Sequence, residues 1–405
     1  MLLAQTLESH SDLTELRGRH PDLAADWAAV NDALDREDLP SERRHRLAVR
    51  RDDLLDRIRA RRGFASFLLP PSTEALRASA ACGPIVLLNV ARHRCDALLV
   101  SADEVALVPL PAVDGDEIRR RAEQFGAAIR AGERPGAGEA RAQRTVAEVL
   151  DWLADRVTGP VLDRLGPAVR RVWWSPGGPL TALPLHATAL DRVVSSYTPT
   201  VRALRAPTAG GSPDLLVVAM PETEGERPLR YASREAAAVA GTGPTRTMIA
   251  GAATREAVLA ALPAHASVHF ACHAVSDPEQ PSDSRLLVHD HRDRPVSLLD
   301  LSRLELPAAR LAYLSACHTA RGPDHLADEA LHITGAFHLA GYASVVGTLW
   351  QVNDRVASQV AAGFHTRWRA GPDDPAQALH DTVRDLRDRF PRTPSLWSAY
   401  VHYGM

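Results

Sequence analysis

Leu311-Ala-Tyr-Leu-Ser-Ala-Cys-His-Thr-Ala-Arg-Gly322 begins as an apolar run and stops in small and polar residues around Cys317. A short, nearly continuous apolar run is the signature of a strand buried on both faces of a parallel sheet. In open α/β sheets, sites form just beyond the carboxyl ends of such strands. Cys317 is therefore placed for chemistry. A second run of the same design, Ser267-Val-His-Phe-Ala-Cys-His-Ala274, lies upstream and ends at His273. Cys317 follows His273 by 44 positions (317 less 273). If the two strands end side by side, thiol and imidazole meet although they are distant in sequence.

A chain of 405 residues has room for one large domain or two, and its 45% hydrophobic content is that of a globular protein. The net charge of −3 gives no global push towards nucleic acid or an anionic membrane. All 47 basic residues are Arg. The cysteines, Cys82, Cys95, Cys272 and Cys317, show no paired spacing, which fits a reducing cytoplasm better than a disulfide framework. There is no basic-then-apolar leader and no apolar run of about 18 residues, so the chain reads as soluble and not exported.

Residues 1–64 read as a helical segment, with Leu47, Leu54, Leu55 and Ile58 at helical spacing and Ser41 as a candidate N-cap. Arg43, Arg44, Arg46, Arg50, Arg51, Arg57, Arg59, Arg61 and Arg62 make it basic, but interleaved Asp52, Asp53 and Asp56 favour a solvated helix face over a patch for an acidic partner. Gly63 and Pro70-Pro71 mark a boundary. Residues 85–90, 97–100 and 105–108 read as short strands, and 116–130 and 143–156 as helices. From Asp214 strands and helices alternate: a strand at 214–219, a helix at 233–240, strands at 245–249 and through His273. A hairpin follows at 285–289 and 295–298, and Ser297-x-x-Asp300 is a capping box. Residues 343–348 form another buried strand. The expected class is α/β, a mainly parallel sheet flanked by helices. The expected division is a helical segment 1–64 and a domain 75–405, the latter with a small β-containing subdomain 75–205 and a catalytic subdomain 213–405.

A Cys thiol is mostly un-ionised at neutral pH, and a neighbouring His can take its proton and later protonate a leaving amine. The oxyanion formed on the way needs preorganised N–H donors; the backbone amides of Cys317 and Ala274 are the candidates. Cys272, one position from His273, alternates to the opposite face and reads as core packing. A zinc site from His265, His269, Cys272 and His273 is a competing reading, weakened because a strand separates Cys272 from His273. No Gly-rich phosphate loop is present, and neither a cofactor nor a metal is expected.

Four stretches in order resemble the CHAT domain, a family of caspase- and separase-like cysteine peptidases often attached to tetratricopeptide repeats. They are Trp174-Ser-Pro-Gly-Gly-Pro-Leu-Thr-Ala-Leu-Pro-Leu-His-Ala187, Val268-His-Phe-Ala-Cys-His273, Leu314-Ser-Ala-Cys317, and the segment from Ala336 through Leu349-Trp-Gln-Val-Asn-Asp354. A nucleophilic Cys with its His roughly 50 residues upstream is also the caspase arrangement. The resemblance implies a caspase-like fold and endopeptidase chemistry, with His273 as general acid/base and Cys317 as nucleophile. It implies an oxyanion hole from the amides of Ala274 and Cys317, and Asp354 as a residue binding a basic P1 side chain, against the plainer reading of Asp354 as a helix N-cap. It further implies cleavage of a specific partner protein, in bacterial defence or regulated cell death, in the cytoplasm. The expected partners are a protein or peptide substrate and a separate sensor or activator, since no repeat is visible in the chain; nucleic acid and a membrane anchor are not expected. The family's usual Gly after the His is Ala274 here, which forgoes access to positive φ. A non-catalytic interaction module is the alternative that this departure keeps open.

Overall fold

The structure, a computed structural model, describes the chain except residues 1–12, 14–15, 35–38, 70–71, 133–135, 137, 205–213, 276–283, 305, 307 and 316–329. Cys317, with His318 and His325, lies outside the described residues. The described chain divides into two compact units, Met1–Ala78 and Ser79–Met405. In the first, the helices Pro21–Leu34 and Ser41–Arg59 pack through Leu23, Trp27, Val30, Leu54 and Ile58, with Phe64 and Phe67 closing the cluster. Pro40, extended and without a side-chain cap bond, precedes the second helix. Ser41 is thus its first residue rather than its cap.

The second unit is built on one sheet of eleven strands in the order β3-β2-β1-β4-β5-β14-β13-β12-β8-β6-β7. The strands are β1 Ile85–Val90, β2 Cys95–Val100, β3 Val105–Pro109, β4 Arg171–Pro176, β5 Val194–Tyr197, β6 Leu215–Ala219, β7 Thr245–Ile249, β8 Ser267–Ala271, β12 Leu311–Leu314, β13 Ser344–Thr348 and β14 Tyr400–Gly404. Three short strands, β9 Ala274–Val275, β10 Arg285–Leu286 and β11 Val296–Ser297, form a separate small sheet. Among the described residues of the large sheet, β1/β2, β2/β3 and β13/β14 pair antiparallel. The rest are parallel, as continuous apolar runs dictate. The strands of both sequence halves share this sheet, joined where Tyr403 of β14 pairs with Tyr197 of β5. The Ser297–Asp300 capping box is present, opening the helix Leu298–Ser302.

Helices cover both faces around the centre. On one, Phe270 of β8 meets Phe337 of the helix Ala330–Ala340, ring centroids 5.8 Å apart. On the other, His269 of β8 faces the helices Ala232–Ala240 and Asp354–Ala370. At the β3 edge, Leu98 and Leu107 are directly paired and stay 38% and 52% exposed, while Ala97, Leu99 and Val108 on the opposite face are buried. No helix among the described residues is long and apolar enough to cross a membrane.

Candidate active site

The site is organised by two neighbouring parallel strands, β8 and β12. Leu311 pairs with Ser267, Tyr313 with His269 and Leu314 with Phe270, and Ser315 N–H donates to Phe270 O at 2.9 Å. Every pair in this ladder differs by 44 in number (311 less 267, 314 less 270). That is the spacing of His273 and Cys317 in the sequence.

β8 ends earlier than its sequence pattern suggests. Ala271 O takes its last bond from Met220 N–H at 3.0 Å, and the chain then leaves the large sheet. His273 O accepts from Leu287 N–H at 2.8 Å, so the backbone re-pairs at once in the small sheet. Cys272, which follows the last residue of β8, is buried. His273 is buried as well, and its Nε2 lies 2.8 Å from Arg227 O. A carbonyl only accepts, so Nε2 carries the proton and Nδ1 is the basic nitrogen of the neutral ring.

Ala274 pairs with Leu286 in β9/β10. Hydrogen-bonded and non-bonded pairs alternate in an antiparallel ladder. Because Leu287 bonds to His273, Ala274 and Leu286 are a non-bonded pair, and Ala274 N–H points away from β10. Among the described residues, the non-glycine positions with positive φ are Leu68 and Ala250. Ala274 therefore occupies ordinary backbone, and a glycine is not required there.

Asp354 is the first residue of the helix Asp354–Ala370; the cap is Asn353, whose side chain accepts from Arg355 N–H at 3.1 Å. That assigns the capping role to the neighbour and releases the Asp354 carboxylate for another contact. Its Oδ2 accepts from Tyr231 N–H at 2.8 Å. Burial, reinforced by the nearby Glu235 carboxylate, pushes the Asp354 carboxyl up, while the amides of Tyr231 and Arg230 and the nearness of His273 oppose the shift. No Arg compensates this carboxylate among the described residues.

Beneath His273 and Asp354 runs a buried chain. Glu235 Oε1 lies 2.8 Å from His269 Nε2, and His269 Nδ1 lies 3.0 Å from His365 Nε2. The three residues are 1%, 0% and 0% exposed. Tyr313 stacks on the His269 ring at 4.9 Å and 17°. Both ring nitrogens of His269 are thus engaged, and His265 Nδ1 is held by Ala261 O. The His265, His269, Cys272 and His273 cluster does not converge, and no group of metal-ligating side chains occurs among the described residues.

The CHAT domain family model matches residues 147–405. The chain belongs to the CHAT domain family. Among solved structures, this CHAT protein is similar to separase in the separase–securin complex of Saccharomyces cerevisiae, with a TM-score of 0.58 at 10% identity over 98% of this chain. A second structure of that complex gives the same TM-score at 9% identity. The chain spans 34% of the separase chain. The Arg-specific cysteine proteinase gingipain R is more distant, with a TM-score of 0.42 at 9% identity over 71% of this chain and 74% of that one. Comparison with curated protein sequences yields no match. The fold of this CHAT protein is caspase-like α/β, a large mainly parallel sheet with helices on both faces.

Of the expected site residues, the structure brings His273 and Asp354 into one neighbourhood with Ala274 adjoining, while Cys317 lies outside the described residues. Sequence reasoning missed Arg227, Tyr231, Glu235 and His365 and weighed His269 only as a zinc ligand. Arg227 and Tyr231 act through backbone atoms, which leave no trace in residue type. Glu235 and His365 did leave a signal. Glu235 falls in the stripe Ala232, Ala236, Val239, and His365 in the stripe Ala361, Phe364, Trp368. An ionisable residue on a helix's apolar stripe needs a buried partner.

Proposed function

We propose that this CHAT protein is a cysteine endopeptidase working through a His273–Cys317 dyad. The observation that carries the reading is the ladder offset: β8 and β12 run in a register of 44, the spacing of His273 and Cys317. The support from geometry is that Nε2 of His273 donates to Arg227 O, which makes Nδ1 the nitrogen proposed as base. In the proposed reaction, Nδ1 takes the Cys317 thiol proton as the thiolate attacks the scissile carbonyl carbon. The oxyanion that forms accepts from Ala274 N–H and Cys317 N–H. The tetrahedral intermediate collapses by breaking the C–N bond, and the imidazolium gives its proton to the departing amine. Water, deprotonated by Nδ1, then attacks the thioester, and the returning thiolate regains its proton. No cofactor enters any step.

Asp354 is the proposed S1 residue for a basic P1 side chain. A half-buried carboxylate pushed upwards by burial and with no Arg partner among the described residues gains most from a guanidinium delivered by substrate. The separase in the compared structure is bound to securin, and a protein partner is proposed here by that likeness, with a separate sensor or activator. The proposed setting is restricted cleavage of one protein in the cytoplasm, in bacterial defence or regulated cell death.

The test is cleavage of a diverse peptide library by wild type and Cys317→Ala in parallel. Cuts made only by wild type, with Arg at P1, support the reading. Equal cleavage by Cys317→Ala refutes it, and an apolar P1 removes Asp354 from S1.

A further inference from the structure

Asp354 and His273 are gripped by the same piece of chain. The strap Pro221–Tyr231 leaves the end of β6 and enters the helix Ala232–Ala240. Near its middle, Arg227 O holds His273 Nε2 at 2.8 Å. Four residues on, Tyr231 N–H donates to Asp354 Oδ2 at 2.8 Å. The strap has its own internal bonds: Glu226 N–H to Thr223 O at 3.0 Å, Leu229 N–H to Pro221 O at 2.9 Å and Ala232 N–H to Leu229 O at 3.1 Å. Within the strap, Leu229 and Thr223 are buried. A segment braced in this way moves as a piece rather than residue by residue.

The elements that carry these contacts are also tied from below. Glu235 lies one turn after Tyr231 on the helix Ala232–Ala240, and Glu235 N–H bonds to Tyr231 O at 2.8 Å. His269 lies four residues before His273, and His365 lies on the helix that Asp354 opens. The Glu235–His269–His365 chain therefore fixes three elements: the helix that follows the strap, the strand β8 that ends two residues before His273, and the helix that Asp354 opens. Above that fixed layer, the Asp354–Tyr231 bond ties the outer end of the strap to the helix that Asp354 opens.

We infer that Asp354 is a positioning residue for His273: its carboxylate anchors the strap through the Tyr231 amide, and the strap orients the imidazole through the Arg227 carbonyl. The inference rests on the peptidase reading and deepens it, because one side chain then serves both substrate cation binding and the alignment of the base.

The test separates hydrogen bonding from charge. Asp354→Asn keeps a side-chain oxygen for Tyr231 N–H and loses the charge; Asp354→Ala loses both. The probe is iodoacetamide, which is small, neutral and has no P1 side chain, with alkylation of Cys317 followed by site-resolved mass spectrometry across pH 5–9. Exposed Cys82 in the same chain is the internal reference. His273→Ala sets the uncoupled limit, in which Cys317 reacts like an ordinary thiol ionising near pH 8.5. The expected result is that Asp354→Ala loses at least tenfold in Cys317 alkylation rate at pH 7, approaching His273→Ala. Asp354→Asn stays within about threefold of wild type, while cleavage of Arg peptides falls for both variants. Wild-type alkylation by Asp354→Ala overturns the inference, as does an equal loss in Asp354→Asn, which would assign the effect to charge. If His273→Ala leaves the profile unchanged, the peptidase reading falls. The ring 15N shifts of His273 then still decide the coupling: Nε2 stays protonated in Asp354→Asn and the tautomers mix in Asp354→Ala, or they do not and the coupling is refuted.

Discussion

Glu235→Ala is expected to destabilise the second unit sharply, although Ala is a better helix former than Glu. The Glu235 carboxylate and the His269 imidazole are both essentially inaccessible and 2.8 Å apart. Removing one member of such a pair leaves the other buried without its partner, which costs about 3–5 kcal/mol. At about 2.1 cal/mol/K per residue, the unit Ser79–Met405 unfolds with an entropy of roughly 0.7 kcal/mol/K. The loss then appears as a fall in Tm of about 4–7 °C. Glu235→Gln keeps an oxygen facing His269 Nε2 and should lose less than Glu235→Ala. Glu148→Ala, an exposed Glu on the helix Glu139–Leu153, is the control and should stay within about 0.5 kcal/mol of wild type. The assay is thermal unfolding followed by circular dichroism, with urea midpoints as a check. If Glu235→Ala melts within about 1 °C of wild type, the carboxylate is not the buried partner of His269, and the three-element tie fails with it.

Two further predictions concern the same unit. Burial holds His186 down at about 3 and holds His365 and His402 well below the usual histidine range. Unfolding returns each to about 6.5, so below that pH the unfolded chain binds more protons than the native one, and stability falls as pH falls. Each group contributes up to about 1.4 kcal/mol per pH unit, and the three together up to about 4 kcal/mol per unit below roughly pH 6; urea midpoints that do not move between pH 7 and 5.5 would refute this. Gly404→Ala is expected to cost more than about 2 kcal/mol by chemical denaturation, because Gly404 has φ +90°, a Cβ there would collide with Ala343 O, and Gly404 O receives the Trp173 indole N–H at 2.7 Å; a change under about 0.5 kcal/mol would mean the β14 end can shift freely.

Much of the fold was legible because buried parallel strands leave a coarse signal. Apolar runs such as Leu215–Ala219 and Ser344–Thr348 have no other comfortable place, and they emerge as interior strands of the large sheet. Boundaries were less legible where tertiary bonds decided them. The pattern through 267–274 reads as one strand, yet a bond from Met220 ends it at Ala271 and a bond from Leu287 begins another pairing at His273. At both helix starts that were misread, the neighbour decided. Pro40 took the position before Ser41, and Asn353 took the cap that Asp354 could have filled. His273 and Asp354 were readable as types placed at strand and helix ends. The atoms that hold them, a carbonyl and an amide, were not, because every residue has both.

The ladder offset has a physical cause that the spacing alone does not reveal. Side chains alternate faces along a strand, so a slip of one residue between β8 and β12 would turn Tyr313 away from His269. Those two rings stack at 4.9 Å in the same layer as Glu235 and His365. The slip would therefore break the stack and expose the buried chain's partners to apolar side chains, a penalty of several kcal/mol by the same reasoning as for Glu235. The register of 44 is thus fixed from within the core, one residue before β12 ends and two before β8 ends. A substitution at Tyr313 or His269 would keep the sequence spacing and loosen the register. It is the buried layer, more than the residue count, that sets where β12 ends relative to His273.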